Sequence, residues 1–163
     1  MHSTIFQLEK SRGNIDDYRL DEDDFGYDNH HAWFIGQVAD YVYENTDRNE
    51  NIEWFLECME EYNRFFTVNS SDTVVESITF SPNFKRMYFF ERFNKLQQTV
   101  DEMNLDDFIN STTAYSLEQL VNEKFGFYIC CNNVLRSIDN FVRNLPDTKE
   151  ITYYFGNTID YHY

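Results

Sequence analysis

The sequence predicts a single α+β domain over residues 1–163, in which an antiparallel sheet packs against about four to five helices and ends in a C-terminal β-hairpin. Stretches of alternating, β-rich residues occur near both ends of the chain, and stretches of helical period lie between them without regular alternation of the two kinds. Aromatic residues make up 18% of the chain, and this apolar area argues for a packed core despite the high charge.

A strand and an acidic segment open the chain. Residues 3–9 alternate and are rich in β-forming residues, which predicts a first strand. Residues 10–30 are acidic and aperiodic, so we expect an ordered loop or a short helical turn there.

Two helices are predicted next. Residues 31–44 repeat their apolar side chains with a helical period, although their aromatic and valine content would also suit a strand. Residues 51–64 are predicted to form the second helix, with Ile52, Phe55 and Met59 on its apolar face.

Residues 65–80 have the pattern of two strands joined around Asn69-Ser70-Ser71-Asp72. Ser81-Pro82 then opens the most regular helix of the chain, since serine is a good N-cap and proline suits the first turn. That helix is predicted to run for about 20 residues and to bury one face, which carries Phe89, Phe93, Leu96, Val100 and Met103.

The last third of the chain is predicted to mix short helices and strands. Residues 105–115 are predicted to form a connector with one helical turn. A helix then begins at a capping box at Ser116 and runs to about Glu123. We expect a strand over residues 124–131, a helix over residues 132–145, and a final hairpin that turns at Gly156-Asn157.

The charge of the chain points to a basic partner. The formal net charge is −16, and residues 1–64 hold 16 Asp and Glu against 5 Lys and Arg, whereas residues 65–163 hold 13 against 8. Such a chain is repelled by nucleic acid and by anionic membrane surfaces and is attracted to cationic ones. An alternative interpretation is that the charge serves solubility alone.

The sequence contains no recognisable catalytic motif. We find no glycine-rich phosphate loop, no Gly-x-Ser-x-Gly and no His-Glu-x-x-His, so we predict neither catalytic residues nor a cofactor. Three cysteines make a poor disulfide framework, and no apolar stretch has the length of a signal or spanning segment, so we expect a cytoplasmic protein. Cys130-Cys131 would act as a nucleophile only if folding brought a histidine near; an inert buried pair is the alternative that we favour.

Residues 21–31 are the one local cluster of metal-ligand types, with Asp21, Asp23 and Asp24 followed by His30 and His31. Their spacing does not match a calcium-binding EF-hand loop, since position twelve from Asp21 is an alanine where a bidentate glutamate is required. We therefore interpret the segment as a solvated acidic loop and predict no metal site.

Both tryptophans map to acidic faces of the predicted helices. They could pack on a neighbouring loop or strand as a second core layer. Alternatively, they could anchor a protein-binding surface, because aromatic residues dominate interface hot spots and complementary charge orients the partner. The candidate partner-binding residues are Trp33, Asp40, Glu44, Glu50, Glu53, Trp54, Glu57, Glu60 and Glu61.

These observations lead to three hypotheses about function. The first is a non-enzymatic inhibitor that occupies the basic nucleic-acid-binding or nuclease surface of a partner, as an immunity protein or a phage anti-defence protein would. The spacing of helical acids, about 5–6 Å, also suits mimicry of nucleic-acid phosphates. The second is a small enzyme or ligand-binding domain with its site in the aromatic-rich sheet or a metal in residues 21–31. The third is an oligomeric accessory protein, although the oligomeric state itself is not predicted.

Overall fold

The computed structural model describes residues 2–44, 47–110, 113–121 and 127–163. Seven strands form one sheet: β1 (His2–Glu9), β2 (Tyr41–Glu44), β3 (Phe66–Ser71), β4 (Val74–Phe80), β5 (Phe127–Cys131), β6 (Val134–Ser137) and β7 (Ile151–His162). Their order is β3-β4-β7-β1-β5-β6, and β2 pairs with β7 as well. Five of the six strand pairings are antiparallel, and the β1–β5 pair is parallel.

The predicted α+β class is confirmed, while the number of helices exceeds the expected four to five. The described ranges contain six α-helices, with 3₁₀ helices at Glu22–Phe25, Ala32–Phe34 and Glu60–Phe65. The α-helices are α1 (Arg12–Asp17), α2 (Arg48–Cys58), α3 (Phe84–Glu102), α4 (Leu105–Ile109), α5 (Ala114–Val121) and α6 (Ile138–Arg143).

Two hydrophobic clusters lie on opposite faces of the sheet. The first includes Phe6 and Phe127 from the strands and receives buried side chains from α2, α6 and the start of α3. The second is built around Ile5, Phe34 and Tyr161 and lies beneath the segment that contains the first two 3₁₀ helices. The expectation of helices on one face therefore holds for α2, α3 and α6, while irregular chain covers the other face.

The predicted C-terminal hairpin is wrong, because β7 is one continuous strand of 12 residues. Phe6 and Leu8 of β1 pair with Thr158 and Phe155, so three steps along β7 match two steps along β1. Gly156-Asn157 therefore forms a β-bulge, not a turn. The extra residue changes which face of the sheet the side chains occupy: Phe155 belongs to the first cluster and Ile159 to the second.

The helix predicted for residues 31–44 is also wrong. A 3₁₀ helix at Ala32–Phe34 is followed by Gly36, whose φ of +83° is a left-handed conformation that helix propagation cannot use. Tyr41–Glu44 then pairs with β7 as strand β2. Tyr41, Val42 and Tyr43 of this strand thus follow the β preference of aromatic residues and valine.

The helix predicted for residues 132–145 is partly wrong. Asn132 and Asn133 have φ values of 50° and 56° and connect β5 to β6 as a two-residue hairpin. Asparagine tolerates this left-handed conformation better than most residues do. Two successive left-handed residues form a type I′ turn, whose twist matches the right-handed twist of the flanking strands. The helix begins only at Ile138, where Ser137 caps it by accepting from the Asn140 amide.

The remaining predicted elements are present with shifted bounds. The strands at 3–9 and 65–80 and the turn within the connector at Leu105–Ile109 are confirmed. Helix α2 ends at Cys58, six residues earlier than predicted. Helix α5 starts at Ala114 and not after a cap at Ser116, and its predicted end at Glu123 lies outside the described residues. Residues 124–126, which were predicted to begin the next strand, also lie outside them. Helix α3 is confirmed, but it begins at Phe84 after Asn83 and not at the predicted Ser81 cap. It buries Phe84 and Tyr88, whereas none of the five residues of its predicted buried face is fully buried, and Phe93 and Val100 are 54% and 51% exposed.

Candidate protein-binding surface

The glutamates of α2 form an exposed acidic surface. Ile52 and Phe55 of this helix are buried against the sheet, so Glu50, Glu53 and Glu57 on the other side face solvent. At i, i+3 and i+7 these residues follow one another along one helix face. Among the ion pairs between described residues, none involves these three carboxylates.

Glu60 and Glu61 extend this surface beyond the helix. Because α2 ends at Cys58, both residues lie on the 3₁₀ helix Glu60–Phe65 and not on the predicted helical stripe. Both are exposed, while Tyr62 beside them is buried in the first cluster. We define the acidic surface as Glu50, Glu53, Glu57, Glu60 and Glu61.

Trp54 lies at the border between the acidic surface and the core. Its ring stacks over Phe6 at 6.3 Å and meets Phe127 edge-on at 5.7 Å, both measured between ring centroids. It nevertheless remains 37% exposed. The packing that we considered for this residue is thus present, and it holds the ring in a fixed position with part of its area open to a partner.

The other predicted contact residues do not share a helix with one another. Trp33 is 42% exposed and packs edge-on against Phe34, which belongs to the cluster on the opposite face of the sheet from Trp54. Asp40 lies before β2 and pairs with His162 at 3.1 Å. Glu44 ends β2 and accepts a hydrogen bond from the side-chain amide (Nδ2) of Asn157 at 3.2 Å. Their role in binding remains a prediction, but the common helix on which it depended does not exist.

Cys130 and His31 meet in the second cluster. The Cys130 sulfur lies 3.7 Å from His31 Nε2, and both side chains are buried. Burial raises the pKa of the Cys130 thiol to about 12 and lowers the pKa of His31. Since the thiolate is the nucleophile, a neutral thiol beside a neutral imidazole is a packed pair and not an activated one.

The acidic segment 21–31 uses its polar groups for its own fold. Asp21 and Asp24 cap each other's backbone amides at the start of the 3₁₀ helix Glu22–Phe25. Asn29 donates from its side chain to the Asp23 carbonyl, and His31 is buried against Phe25. Across the described part of the chain, no group of three or more His, Cys, Asp or Glu residues is placed to hold a metal ion.

Sequence reasoning missed an arginine-lined cleft beside the β7 bulge. Arg48, the first residue of α2, donates from Nε to the Gly156 carbonyl at 2.7 Å and from Nη2 to the Phe155 carbonyl at 2.8 Å. Two adjoining depressions of about 310 and 420 Å³ share Arg48 and Asp16 in their walls. The sequence gives no local signal for this cleft, because a bulge more than 100 residues away positions Arg48.

A second missed feature is an exposed apolar surface on α3, α4 and α5. Its largest members are Leu105, Phe108, Ile109 and Tyr115, each exposed by 65% or more. Leu105, Phe108 and Ile109 lie at i, i+3 and i+4 of α4 and share one helix face, and exposed apolar side chains grouped in this way are typical of sites that contact other molecules.

Comparisons of the chain with protein-family models, with curated proteins and with solved structures found no match. Within the described ranges, no helix combines the length and the apolar character required to cross a membrane.

Proposed function

We propose that this protein is a non-enzymatic inhibitor that binds the basic, nucleic-acid-binding or nuclease surface of a partner protein, as an immunity protein or a phage anti-defence protein does. The observation that carries the proposal is the acidic surface of α2 and the adjoining 3₁₀ helix, whose five carboxylates are exposed beside Trp54.

The arrangement supports binding in two ways. The exposed carboxylates attract a cationic surface over a distance of about 10 Å at moderate salt, which accelerates association. Trp54 is already fixed by Phe6 and Phe127, so its exposed part can bury area at an interface with little loss of side-chain freedom. The exposed apolar side chains of α3–α5 further favour a protein partner over a small ligand.

The proposal is tested by affinity capture from a nuclease-treated lysate of the native host. We expect the wild-type protein to retain a basic nucleic-acid-binding protein at low salt and to release it at moderate salt, because charge contributes strongly to the attraction. The variant E53K/E57K/E60K reverses three charges of the acidic surface and should lower retention of that protein by more than 100-fold.

The matched control is D23K/D101K/E150K, which makes the same change in net charge at three exposed acids outside α2 and the adjoining 3₁₀ helix. It should retain the partner nearly as well as the wild type does. Equal loss with both triple variants would show that net charge alone attracts the partner. Unchanged retention with E53K/E57K/E60K, or capture of no basic protein, would reject the acidic surface as the interface.

A further inference from the structure

The cleft beside the bulge carries positive charge in an acidic molecule. The walls of its two depressions hold three arginines and two carboxylates, a balance of +1 against −16 for the whole chain. Arg12 is paired with Glu76 on one side of Arg48. On the other side, Arg19 and Arg48 line the larger depression with Asp16 as its one acidic wall residue.

Arg48 is held in place without being neutralised. It donates to the Gly156, Phe155 and Val75 carbonyls and to the Asn49 side chain, which are all neutral acceptors, so four of its five N–H groups are used and one on Nη1 remains. No carboxylate of a described residue forms an ion pair with Arg48 or with Arg19. A half-buried guanidinium is thus fixed in orientation while its charge remains available.

Arg19 and the positive end of the α2 dipole both act on the charge of Arg48. Burial and the nearby charge of Arg19 lower the pKa of Arg48, so the two cations are close enough to disfavour each other. Arg48 is also the first residue of α2, where the helix dipole is positive and an anion is the favoured neighbour. An anion between the two arginines would offset all three unfavourable contributions.

We propose that this cleft binds a small phosphate-type dianion, held by Arg48 as the fixed donor and by Arg19 as the movable one. The exposed guanidinium of Arg19 can match phosphate oxygens in planar, paired hydrogen bonds, while Arg48 adds its charge and its one remaining Nη1 N–H. The larger depression of about 420 Å³ also admits the rest of a small phosphomonoester. The site shares no residue with the acidic surface, which begins at Glu50 in the same first turn of α2, and the proposal does not depend on the proposed function.

The test is isothermal titration calorimetry of the full chain at constant ionic strength, with inorganic phosphate and glycerol 3-phosphate as probes and chloride as the reference anion. Arg19→Gln is the informative variant because Arg19 is exposed and its loss leaves the bulge intact, whereas Arg48 fastens it. Arg86→Gln removes the same charge from an exposed site on α3 and serves as the control.

We expect saturable binding to the wild type, affinity about tenfold weaker in Arg19→Gln, and wild-type affinity in Arg86→Gln. Tighter binding of glycerol 3-phosphate than of phosphate would support a phosphomonoester as the ligand, and equal or weaker binding would support free phosphate. The proposal is overturned if neither probe gives saturable binding, or if Arg19→Gln and Arg86→Gln bind equally.

Discussion

Replacement of Gly156 by alanine tests the account of the β7 bulge. A Cβ atom at this position would lie 2.3 Å from Gln7 Oε1 and 2.8 Å from Gln7 Cγ. The backbone of Gly156 is not left-handed, so the contact with Gln7, and not φ strain, opposes the substitution. Gln7 is fully buried and cannot move into solvent without leaving its partners.

The expected cost follows from the hydrogen bonds that Gln7 would lose. Its Nε2 donates to the Tyr18 carbonyl at 2.7 Å, and its Oε1 accepts from the Leu20 amide at 3.1 Å and from the Asn157 amide at 3.2 Å. At about 1 kcal/mol net for each bond, Gly156→Ala should lower the free energy of unfolding by about 3 kcal/mol. For a domain of this size, that corresponds to a fall in Tm of roughly 6–12 °C.

A double-mutant cycle separates this mechanism from a general weakening of β7. Gln7→Ala alone loses the same three bonds and should also cost about 3 kcal/mol. In Gln7→Ala/Gly156→Ala the clash is absent, so the combined loss should be about 3–4 kcal/mol instead of the additive 6. The assay is urea unfolding followed by circular dichroism. An additive double variant, or a Gly156→Ala protein as stable as the wild type, would refute the reasoning.

Two further predictions concern buried carboxylates. Asp139 is fully buried and accepts from the Tyr88 hydroxyl at 2.8 Å and from Arg92 Nη2 at 2.6 Å, so Asp139→Ala should cost about 3–5 kcal/mol in urea unfolding; a loss below about 1 kcal/mol would contradict this role. Glu9 is buried, with Oε1 bonded to the Asn132 amide, and burial raises its pKa. The folded state then binds the proton of the Glu9 carboxyl more tightly than the unfolded chain does. The free energy of unfolding therefore falls as the pH rises from the ordinary glutamate pKa of about 4.3 through the raised pKa of the folded state. Glu9→Gln should therefore be more stable than the wild type at pH 7, and this gain should shrink as the pH approaches 4; a gain that stays constant with pH would count against the assignment.

The elements that the sequence predicted well are those fixed by local pattern. The alternation in β1, the two strands at 65–80 and the helical period of α2 depend on neighbouring residues alone, and all four elements are present. The exposure of Glu50, Glu53 and Glu57 could be predicted for the same reason, since burial of Ile52 and Phe55 determines which face of the helix points outward.

The errors occur where a local pattern has two solutions and distant residues select between them. Gly156-Asn157 suits a turn as well as a bulge, and the bulge forms because β1 pairs with β7 on both sides of it, from Tyr154 to His162, and Gln7 fills the space beside Gly156. Tyr41–Glu44 becomes a strand because the edge of β7 is available to it. The arginine-lined cleft is a product of that same bulge, so no pattern near Arg48 in the sequence could have predicted it.

The position of β7 in the sheet has a consequence for how the protein is made. Strand β7 (residues 151–162) pairs with β4, β1 and β2. These three strands therefore have no common partner until β7 leaves the ribosome. Until then the nascent chain exposes unpaired strand edges. Because β1 must also close a loop of roughly 150 residues to reach β7, we expect slow folding that benefits from chaperones.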